Sequence, residues 1–495
     1  MSGKKQSTTR SNEHWAESFF ARLQQPVDAA SIAVFRIGFG VILLVEVIRF
    51  FWNTSADLSA DRNWIASKYI DPPFHFTYPG FEWVQPLSGP GMYWVFGLLG
   101  FCAVCIAAGF LYRFVIALFL PLFLYVFLIE KAEYQNHFYF VLLLGCVLLF
   151  VPADGMWSLT ARLHPERRRD RLPTWCLWAL RLQVAIPYVF GGLAKLQYDW
   201  LVGQPMQFWM SRMPLAGQVP GFGELPLAIA TSWSGMLLDL LIVPALLWRR
   251  TRTLALVAAG AFHLMNATMF HIGIFPWLML VATTLFLEPS WPRWLTRSAA
   301  PKLVTASKPP ATWRWTLPLL TMFFVIQAAL PFRHWLYPGN VNWTGEGYHF
   351  SWRMMLNHPT TILQVFAVDP VSRRAQRIEP LDVGITLRQR EMMENDPEML
   401  REFAVWLRQQ LREAEQGEFE IHVVAVTTLN GRRPHRQVDA SIDLAAQPRR
   451  WGAQPWIEPL REPLDSREVF YVDPQYWSRD PSLAKLLKLD AEPAE

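Results

Sequence analysis

The residue with the clearest chemical potential is Lys195, near the end of a membrane-length apolar run that closes with FGGLAKLQYDW (190–200). If the run is helical, Arg181, Tyr188 and Lys195 are seven residues apart and form one stripe. Apolar surroundings disfavour the protonated form of an amine, which makes it a usable base or nucleophile. The alternative is a lysine that extends its charge to the membrane surface, with Trp200 as an interfacial anchor.

A second group of polar residues lies in AFHLMNATMFHIGIF (261–275). His263, Asn266 and Phe270 share one face of the predicted helix, and His271 lies near its outer end. Ionisable groups at membrane depth are rare and are candidates for a functional site. An equally weighted alternative is histidines that only hydrogen-bond between helices.

His137 opens another apolar run on the same predicted side of the membrane as His271. Lys195, His137 and His271 are therefore expected near the outer membrane face, with His263 deeper. We expect no metal here, because two histidines eight residues apart do not have the spacing of zinc ligands on one helix.

The elements that must position these residues are predicted to be membrane helices. Of the 495 residues, 52% are hydrophobic and only 18% are charged, whereas soluble chains carry about 25% charged residues. Several runs approach or exceed the roughly 20 apolar residues that cross a bilayer. Nine candidate spans can be counted, of which the third, fourth and eighth are short or tightly connected and could be re-entrant or tilted. We predict an all-α polytopic membrane bundle of about nine transmembrane helices with a small C-terminal α+β domain. The predicted spans are 29–51, 91–111, 113–130, 136–152, 175–196, 228–248, 252–270, 272–288 and 314–331.

Basic loops orient these spans. The N-terminal tail (1–28) and three short loops are the most basic segments, and nine spans place them all on one side, which the positive-inside rule makes cytoplasmic. The transmembrane domain (29–332) is then followed by a periplasmic or lumenal C-terminal domain (333–495). The net charge of +5 is small for this length, and no nucleic-acid partner is expected.

The C-terminal domain combines helix and strand signals. Residues 391–417 have apolar residues at helical spacing, and Asp396 followed by Pro397 suits a helix start. Residues 419–429 alternate like a strand, and the NGR that follows is typical of a turn. No cysteine follows Cys176, so this domain can hold no disulfide.

At these residues the chain resembles the vitamin K-dependent gamma-glutamyl carboxylase family, whose membrane part is known as the horizontally transferred transmembrane (HTTM) domain. The resemblance covers roughly residues 30–360 and is carried by three blocks. RLQVAIPYVFGGLAKLQYDW (181–200) is similar to the family's lysine helix, 262–295 to its histidine block, and NWTGEGYHFSWRMM (342–355) to the segment after its last span. The shorter length and the lack of disulfides indicate a bacterial-type homologue in an inner membrane.

The resemblance implies an oxygen-driven reaction. In the family, an unprotonated lysine removes a proton from reduced vitamin K, a naphthohydroquinone. Oxygen then adds, and the strongly basic product takes the gamma proton of a peptide glutamate, which captures CO2 while the quinone leaves as an epoxide. The implied cofactor is thus reduced vitamin K, with O2 and CO2 as co-substrates and no metal. The implied partners are the lipid bilayer, the quinone and a glutamate-containing peptide.

The resemblance also assigns roles to individual residues. Lys195 aligns with the family's catalytic lysine. Supporting or quinone-binding candidates are His263, Asn266, Tyr188, Arg181, His271 and His137. In the segment after the last span (342–355), called the outer segment below, the candidates for substrate contact are Trp343, Tyr348 and Trp352.

One departure favours a different function. Where the chain has Asp154 and Gly155, we expect an Asn-His pair in the animal enzyme. The quinol half of the reaction is therefore implied more strongly than carboxylation. The alternative is a non-catalytic membrane binding or scaffold protein that retains the family fold. A transporter is less favoured, because the chain has no internal repeat and no series of midplane carboxylates.

Overall fold

The structure is a bundle of long apolar helices followed by a smaller domain with a four-stranded sheet. The computed structural model describes residues 21–53, 63–270, 272–297, 313–415, 417–464 and 485–488. Both parts of the predicted fold class, the helical membrane domain and the C-terminal α+β domain, are present.

The main helices of the membrane domain lie close to the predicted spans. They are α1 (Ala30–Trp52), α2 (Gly91–Ala108), α3 (Tyr112–Ile129), α4 (Asn136–Phe150), α5 (Thr174–Ala194), α6 (Leu225–Leu247), α7 (Arg252–Met269), α8 (Phe275–Thr283) and α9 (Trp313–Ala329). Within the described residues, six helices are long and apolar enough to cross a membrane, namely α1, α2, α3, α5, α6 and the helix that continues from α9 to Leu336. The chain is therefore an integral membrane protein, and the count of nine crossings stays a prediction.

Short elements connect these helices and also occur in the C-terminal domain. Strands β1 (Pro26–Asp28) and β2 (Arg171–Pro173) pair antiparallel. The short helical segments are Ala66–Ile70, Lys131–Glu133, Leu159–Leu163, Pro165–Arg167, Tyr198–Leu201, Met206–Ser211, Pro214–Gly217, Thr284–Phe286, Trp291–Thr296, Leu330–Leu336, Val341–Thr344, Pro380–Val383, Leu444–Ala446 and Lys485–Leu487.

The glycine pair before Lys195 allows α5 and α6 to approach each other. A Cβ atom on Gly192 would lie 2.8 Å from the Leu240 side chain and 3.0 Å from the Leu240 backbone nitrogen. On Gly191 the nearest atom would be the terminal methyl of Met354, at 3.3 Å. The close packing of α5 on α6 therefore requires glycine at position 192. The Leu240 backbone cannot move away from an added methyl group, whereas the flexible end of Met354 can.

The C-terminal domain, called the outer domain below, packs two helices on an antiparallel sheet. Its sheet has the order β4–β3–β5–β6, with β3 (Pro359–Val368), β4 (Ala375–Ile378), β5 (Glu420–Leu429) and β6 (His435–Arg436), and its helices are α10 (Leu387–Met393) and α11 (Pro397–Glu413). The predicted helix start is confirmed, because the Asp396 side chain accepts a hydrogen bond from the Glu398 backbone N–H at 3.1 Å. The predicted turn is confirmed by the positive φ angles of Asn430 (54°) and Gly431 (82°).

A buried ion pair joins the outer domain to the membrane domain. Arg432, in the turn after β5, donates to both carboxylate oxygens of Asp199, with Nη1–Oδ2 at 2.6 Å and Nη2–Oδ1 at 2.8 Å. Asn430 Nδ2 donates to the same Oδ2 at 2.8 Å. Asp199 lies in the short helix directly after Lys195, so this contact fixes the segment that carries the lysine.

A second interdomain ion pair joins Lys131 to Asp396, with Nζ–Oδ2 at 2.8 Å. Burial acts to raise the pKa of the Asp396 carboxyl, but the charge and hydrogen bond of Lys131, together with His349 and the Glu398 backbone N–H, outweigh it, so the pKa lies below its ordinary value. This contact therefore contributes stability above the ordinary carboxyl range, and the contribution is lost as the pH falls through the lowered pKa.

Candidate functional site

A cavity of about 1240 Å³ runs from the membrane helices into the outer domain. Its inner part lies among α5, α6, α7 and α8, and its outer part is bounded by the segment 341–361 and by residues around α10. Polar residues of the inner part include His137, Tyr188, Lys195, Asp239, His263 and Asn266. Those of the outer part include Asn342, Tyr348, Arg353, Asn357, His358, Arg388, Glu391, Glu394 and Asp396.

Lys195 lines the inner part as the C-cap residue of α5. Its Nζ donates to Asp239 Oδ2 at 2.7 Å and lies 3.4 Å from the Gly191 carbonyl oxygen. The same Nζ lies 5.4 Å from the ring centroid of Trp200. Lys195 and Asp239 are only 6% and 5% exposed, so the amine does not extend to the membrane surface as in the alternative interpretation.

His263 and Tyr188 form a hydrogen-bonded pair in the same part of the cavity. The Tyr188 hydroxyl lies 2.6 Å from His263 Nε2 and 3.3 Å from Thr283 Oγ1. His263 Nδ1 is buried and has no hydrogen-bond partner among the described residues. Asn266 and Phe270 also line the cavity. This agrees with the prediction that they share one helix face with His263.

His137 lines the cavity beside Asn136, at the start of α4. Its Nε2 atom is buried without a hydrogen-bond partner in the part of the chain that the structure describes. A Cβ atom on Gly273 would lie 3.2 Å from this nitrogen, so the loop before α8 packs beside it. His271 lies outside the described residues.

Arg181 does not line the cavity, although it shares the stripe of Tyr188 and Lys195. Its Nε donates to the Leu285 carbonyl at 2.8 Å and its Nη2 to the Leu287 carbonyl at 3.2 Å. Helix ends leave carbonyl groups without intrahelical partners. Arg181 therefore satisfies the carbonyls at the end of the helix that begins with α8.

The three aromatic candidates of the outer segment have different positions. Tyr348 lines the cavity, and its hydroxyl donates to Asn357 Oδ1 at 3.1 Å. Trp343 and Trp352 are fully buried in packing contacts and do not line the cavity. The Trp352 ring packs 5.2 Å from that of Tyr139, so both tryptophans support the segment instead of facing a ligand.

Sequence reasoning missed Asp239, the residue that pairs with Lys195. It is the only charged residue in the sequence of α6. A lone carboxylate at membrane depth is itself a signal of a functional site. The sequence therefore marks Asp239 as unusual. Its pairing with Lys195 depends on the packing of α6 against α5, which the sequence alone does not give.

Arg353 was also missed, and it brings a positive charge to the outer part. Its Nε donates to Asn342 Oδ1 at 3.3 Å and its Nη2 to Gln197 Oε1 at 3.1 Å. No carboxylate of the described residues pairs with it. His349 and His358 line the same cavity. Burial lowers the pKa values of their imidazoles to about 3 and about 4, so both are neutral at pH 7.

Asp154 and Gly155, the departure that favoured a non-catalytic protein, lie in the loop after α4. This loop is at the opposite end of α4 from His137, and neither residue lines the cavity. The departure therefore removes no group from the site.

Exchange of Gly192 for alanine is expected to separate Lys195 from Asp239. The added methyl group would meet the Leu240 backbone, next to Asp239, and overpacking of this kind costs about 1–3 kcal/mol. We expect a lower melting temperature of the detergent-solubilised protein. Gly191→Ala is the matched control, because only the flexible end of Met354 must move. Equal melting temperatures for the two variants would contradict this role of Gly192.

Comparisons with known proteins identify both parts of the chain. The HTTM domain family matches residues 24–291, more than half of the chain. The family described as the lumenal domain of vitamin K-dependent gamma-carboxylase matches residues 312–463. No solved structure matches the chain.

Proposed function

Because the chain belongs to the vitamin K-dependent gamma-carboxylase family, we propose that it is a membrane enzyme that oxidises a reduced naphthoquinone with O2 to the epoxide and uses Lys195 as the base. The observation that carries the proposal is the position of Lys195, buried and next to Asp239 in a cavity between membrane helices. The coupled reaction is the carboxylation of a peptide glutamate with CO2, without a metal.

The inner part of the cavity fits a naphthohydroquinone. Phe262, Phe275 and Met279 provide apolar lining, which suits a fused aromatic ring. The unpartnered buried nitrogens of His137 and His263 supply hydrogen-bonding groups for ring oxygens, because buried polar atoms are normally paired. When bound, the reduced quinone supplies the reducing equivalents for the reaction with O2.

The residues around Lys195 give it the surroundings that a base requires. Trp200 covers the amine, and its indole N–H donates to the Ser232 carbonyl at 2.7 Å, which fixes the ring. Exclusion of water strengthens the electrostatic interactions within a site. The role of Lys195 is to accept the proton of a ring hydroxyl, and those of His263 and Tyr188 are to orient the ring.

An entry route between α6 and α7 would suit a lipid-soluble quinol. Leu227 and Met265, one on each helix, line the cavity and are also 40% and 42% exposed. Ala230 and Ala261 line the cavity and are exposed as well. Because these residues of α6 and α7 line the cavity and keep accessible surface, we propose that the quinol enters from the membrane between the two helices.

Arg353 suits a carboxylate substrate in the outer part. The guanidinium is buried, and its hydrogen bonds within the described residues use Nε and Nη2. Nη1 therefore remains for an anion, and arginine with a carboxylate forms a strong, directional pair. The glutamate side chain of a peptide is the proposed anion.

Arg353→Gln is expected to weaken the use of a glutamate peptide without stopping quinol oxidation. Loss of a charge-assisted hydrogen bond costs about 1.5–3 kcal/mol, so KM for the peptide should rise about 10- to 100-fold. Radiolabelled bicarbonate incorporated into a glutamate peptide measures the effect. Arg388→Gln is the control, since Arg388 also lines the cavity but lies 3.7 Å from Glu391. An equal KM in both variants would rule out Arg353 as the anchor.

The proposed enzyme has nine membrane crossings and lies in a bacterial inner membrane. Its N-terminus is cytoplasmic and its C-terminal domain (333–495) is periplasmic. The name of the matched lumenal domain supports the side assigned to the C-terminal part.

The test of the proposed function uses the full chain in nanodiscs with reduced vitamin K and O2. Epoxide is separated from quinone by chromatography, and a parallel reaction contains radiolabelled bicarbonate and a glutamate peptide. We expect epoxide in both reactions and label in the peptide. Bound quinol without epoxide would instead favour the non-catalytic binding protein.

A further inference from the structure

We propose that Asp239 is a positioning residue that takes the proton from Lys195, so that the two residues work as one base. This inference rests on the proposed function and deepens it. The contact that carries it is the 2.7 Å separation of Lys195 Nζ and Asp239 Oδ2, between two side chains that are 8% and 7% exposed.

A lysine held in an ion pair has no lone pair with which to accept a proton. The proton on Lys195 must therefore move before the amine can act. Among the described residues, Nζ contacts two acceptors, the Asp239 carboxylate and the Gly191 carbonyl oxygen. A backbone carbonyl does not hold a proton at neutral pH, so the carboxylate is the acceptor that the geometry provides.

The surroundings of the pair favour this transfer. Separated charges are costly in an apolar interior, and movement of one proton from Nζ to Oδ2 turns the ion pair into a neutral amine and a neutral acid. Asp239 is the sole charged residue of the α6 sequence. Gly192 allows α6 to come close enough for the contact.

The proton transfers balance without an additional reactant. First, one Nζ–H bond of Lys195 breaks and an Oδ2–H bond of Asp239 forms. The amine lone pair of Lys195 then forms a new N–H bond with the proton of the bound hydroxyl group, whose oxygen keeps the electron pair of the broken O–H bond. The pair ends as an ammonium and a carboxylic acid, and the total charge of the site is unchanged.

Other titratable groups line the same cavity. Tyr188 on α5 and His263 on α7 are bonded to each other at 2.6 Å, and Arg353 comes from the outer segment. Lys195 is the group whose charge and hydrogen bond act on Asp239. A pH effect on Lys195 that depends on Asp239 therefore reports on this pair.

The experiment compares wild type, Asp239→Asn and Asp239→Glu in nanodiscs. Trace acetylation of Lys195 across a pH series, quantified by peptide mass spectrometry, reports how much free amine is present, independently of activity. Quinol epoxidation gives kcat and KM for the same samples. Asp28→Asn is the matched control, because Asp28 forms a largely buried pair with Arg293 at 2.7 Å and does not line the cavity.

We expect Lys195 in Asp239→Asn to be acetylated at a pH about 1 to 3 units lower, because loss of a close opposite charge disfavours the ammonium. We expect kcat to fall by about 100-fold or more, with little change in KM, because an amide cannot take the proton that Lys195 gains in each turnover. The ammonium then has no acceptor, even though the resting amine is more often free. Asp239→Glu should retain part of kcat, and Asp28→Asn should match wild type in both measurements.

A kcat that is unchanged or raised in Asp239→Asn would overturn the proposal, because the carboxylate would then serve only as a counter-ion. An unchanged acetylation profile would also overturn it. If wild type makes no epoxide, the proposed function fails, whereas the acetylation profiles still decide whether Asp239 controls the proton of Lys195.

Discussion

Lys195→Ala is expected to lose quinol epoxidation, with a rate reduction of about 10²- to 10⁴-fold. The variant removes the amine proposed to accept the hydroxyl proton. It also leaves Asp239 buried without its cation, since the 2.7 Å ion pair is lost, and removal of one partner of a buried pair costs about 3–5 kcal/mol. The rate must therefore be compared at equal amounts of folded protein, measured by size-exclusion chromatography.

Lys195→Arg separates the need for a base from the need for a positive charge. A guanidinium can still pair with Asp239, but it does not lose a proton in proteins. We expect Lys195→Arg to be folded and as inactive as Lys195→Ala. Substantial epoxidation by the arginine variant would show that Lys195 contributes charge and not proton transfer.

Arg432→Met is expected to cause a large loss of stability. Asp199 accepts three hydrogen bonds from Arg432 and Asn430, and the variant would leave its buried carboxylate with the amide alone. The expected cost is about 3–5 kcal/mol. Because Asp199 lies four residues after Lys195, activity should fall together with the melting temperature.

The matched control for Arg432→Met is Arg373→Met in the same domain. Arg373 pairs with Glu420 at 2.7 Å, but the two side chains are 45% and 34% exposed, and exposed pairs contribute about 0–1 kcal/mol. Melting curves in one detergent compare the two variants. Similar melting temperatures would show that the Asp199–Arg432 contact does not fix the domains together.

Much of the fold could be predicted from apolar runs and capping residues. The helices lie close to the predicted spans because bilayer-length apolar segments leave the backbone few other ways to satisfy its hydrogen bonds. The start of α11 was predictable because Asp396 and Pro397 act locally. Whether α4 and α8 cross the membrane was not, since their described lengths are below those of the six long helices.

The site could be predicted only in part. Lys195, Tyr188, His263 and Asn266 line the cavity as expected, because rare polar residues in apolar helices usually face the interior. Arg181 shares the stripe but reaches backbone carbonyls instead. A sequence pattern predicts which residues share one face of a helix. It does not predict which groups of other elements pack against that face.

Contacts between distant segments account for the residues that were missed. Asp239 is 44 residues from Lys195, and Gln197 is 156 residues from Arg353. No local pattern relates such positions. Trp343 was a candidate for the opposite reason, because a buried aromatic residue and a ligand-binding one have the same sequence signal.

The most direct test of the central claim is the mass of the product formed from reduced vitamin K under isotopically heavy oxygen gas. Wild-type protein in nanodiscs should form epoxide that carries one heavy oxygen atom, and Lys195→Arg should form none above the protein-free background. Unlabelled quinone as the only product of wild type, at the background rate, would contradict the account of Lys195 as the base of a quinol epoxidase.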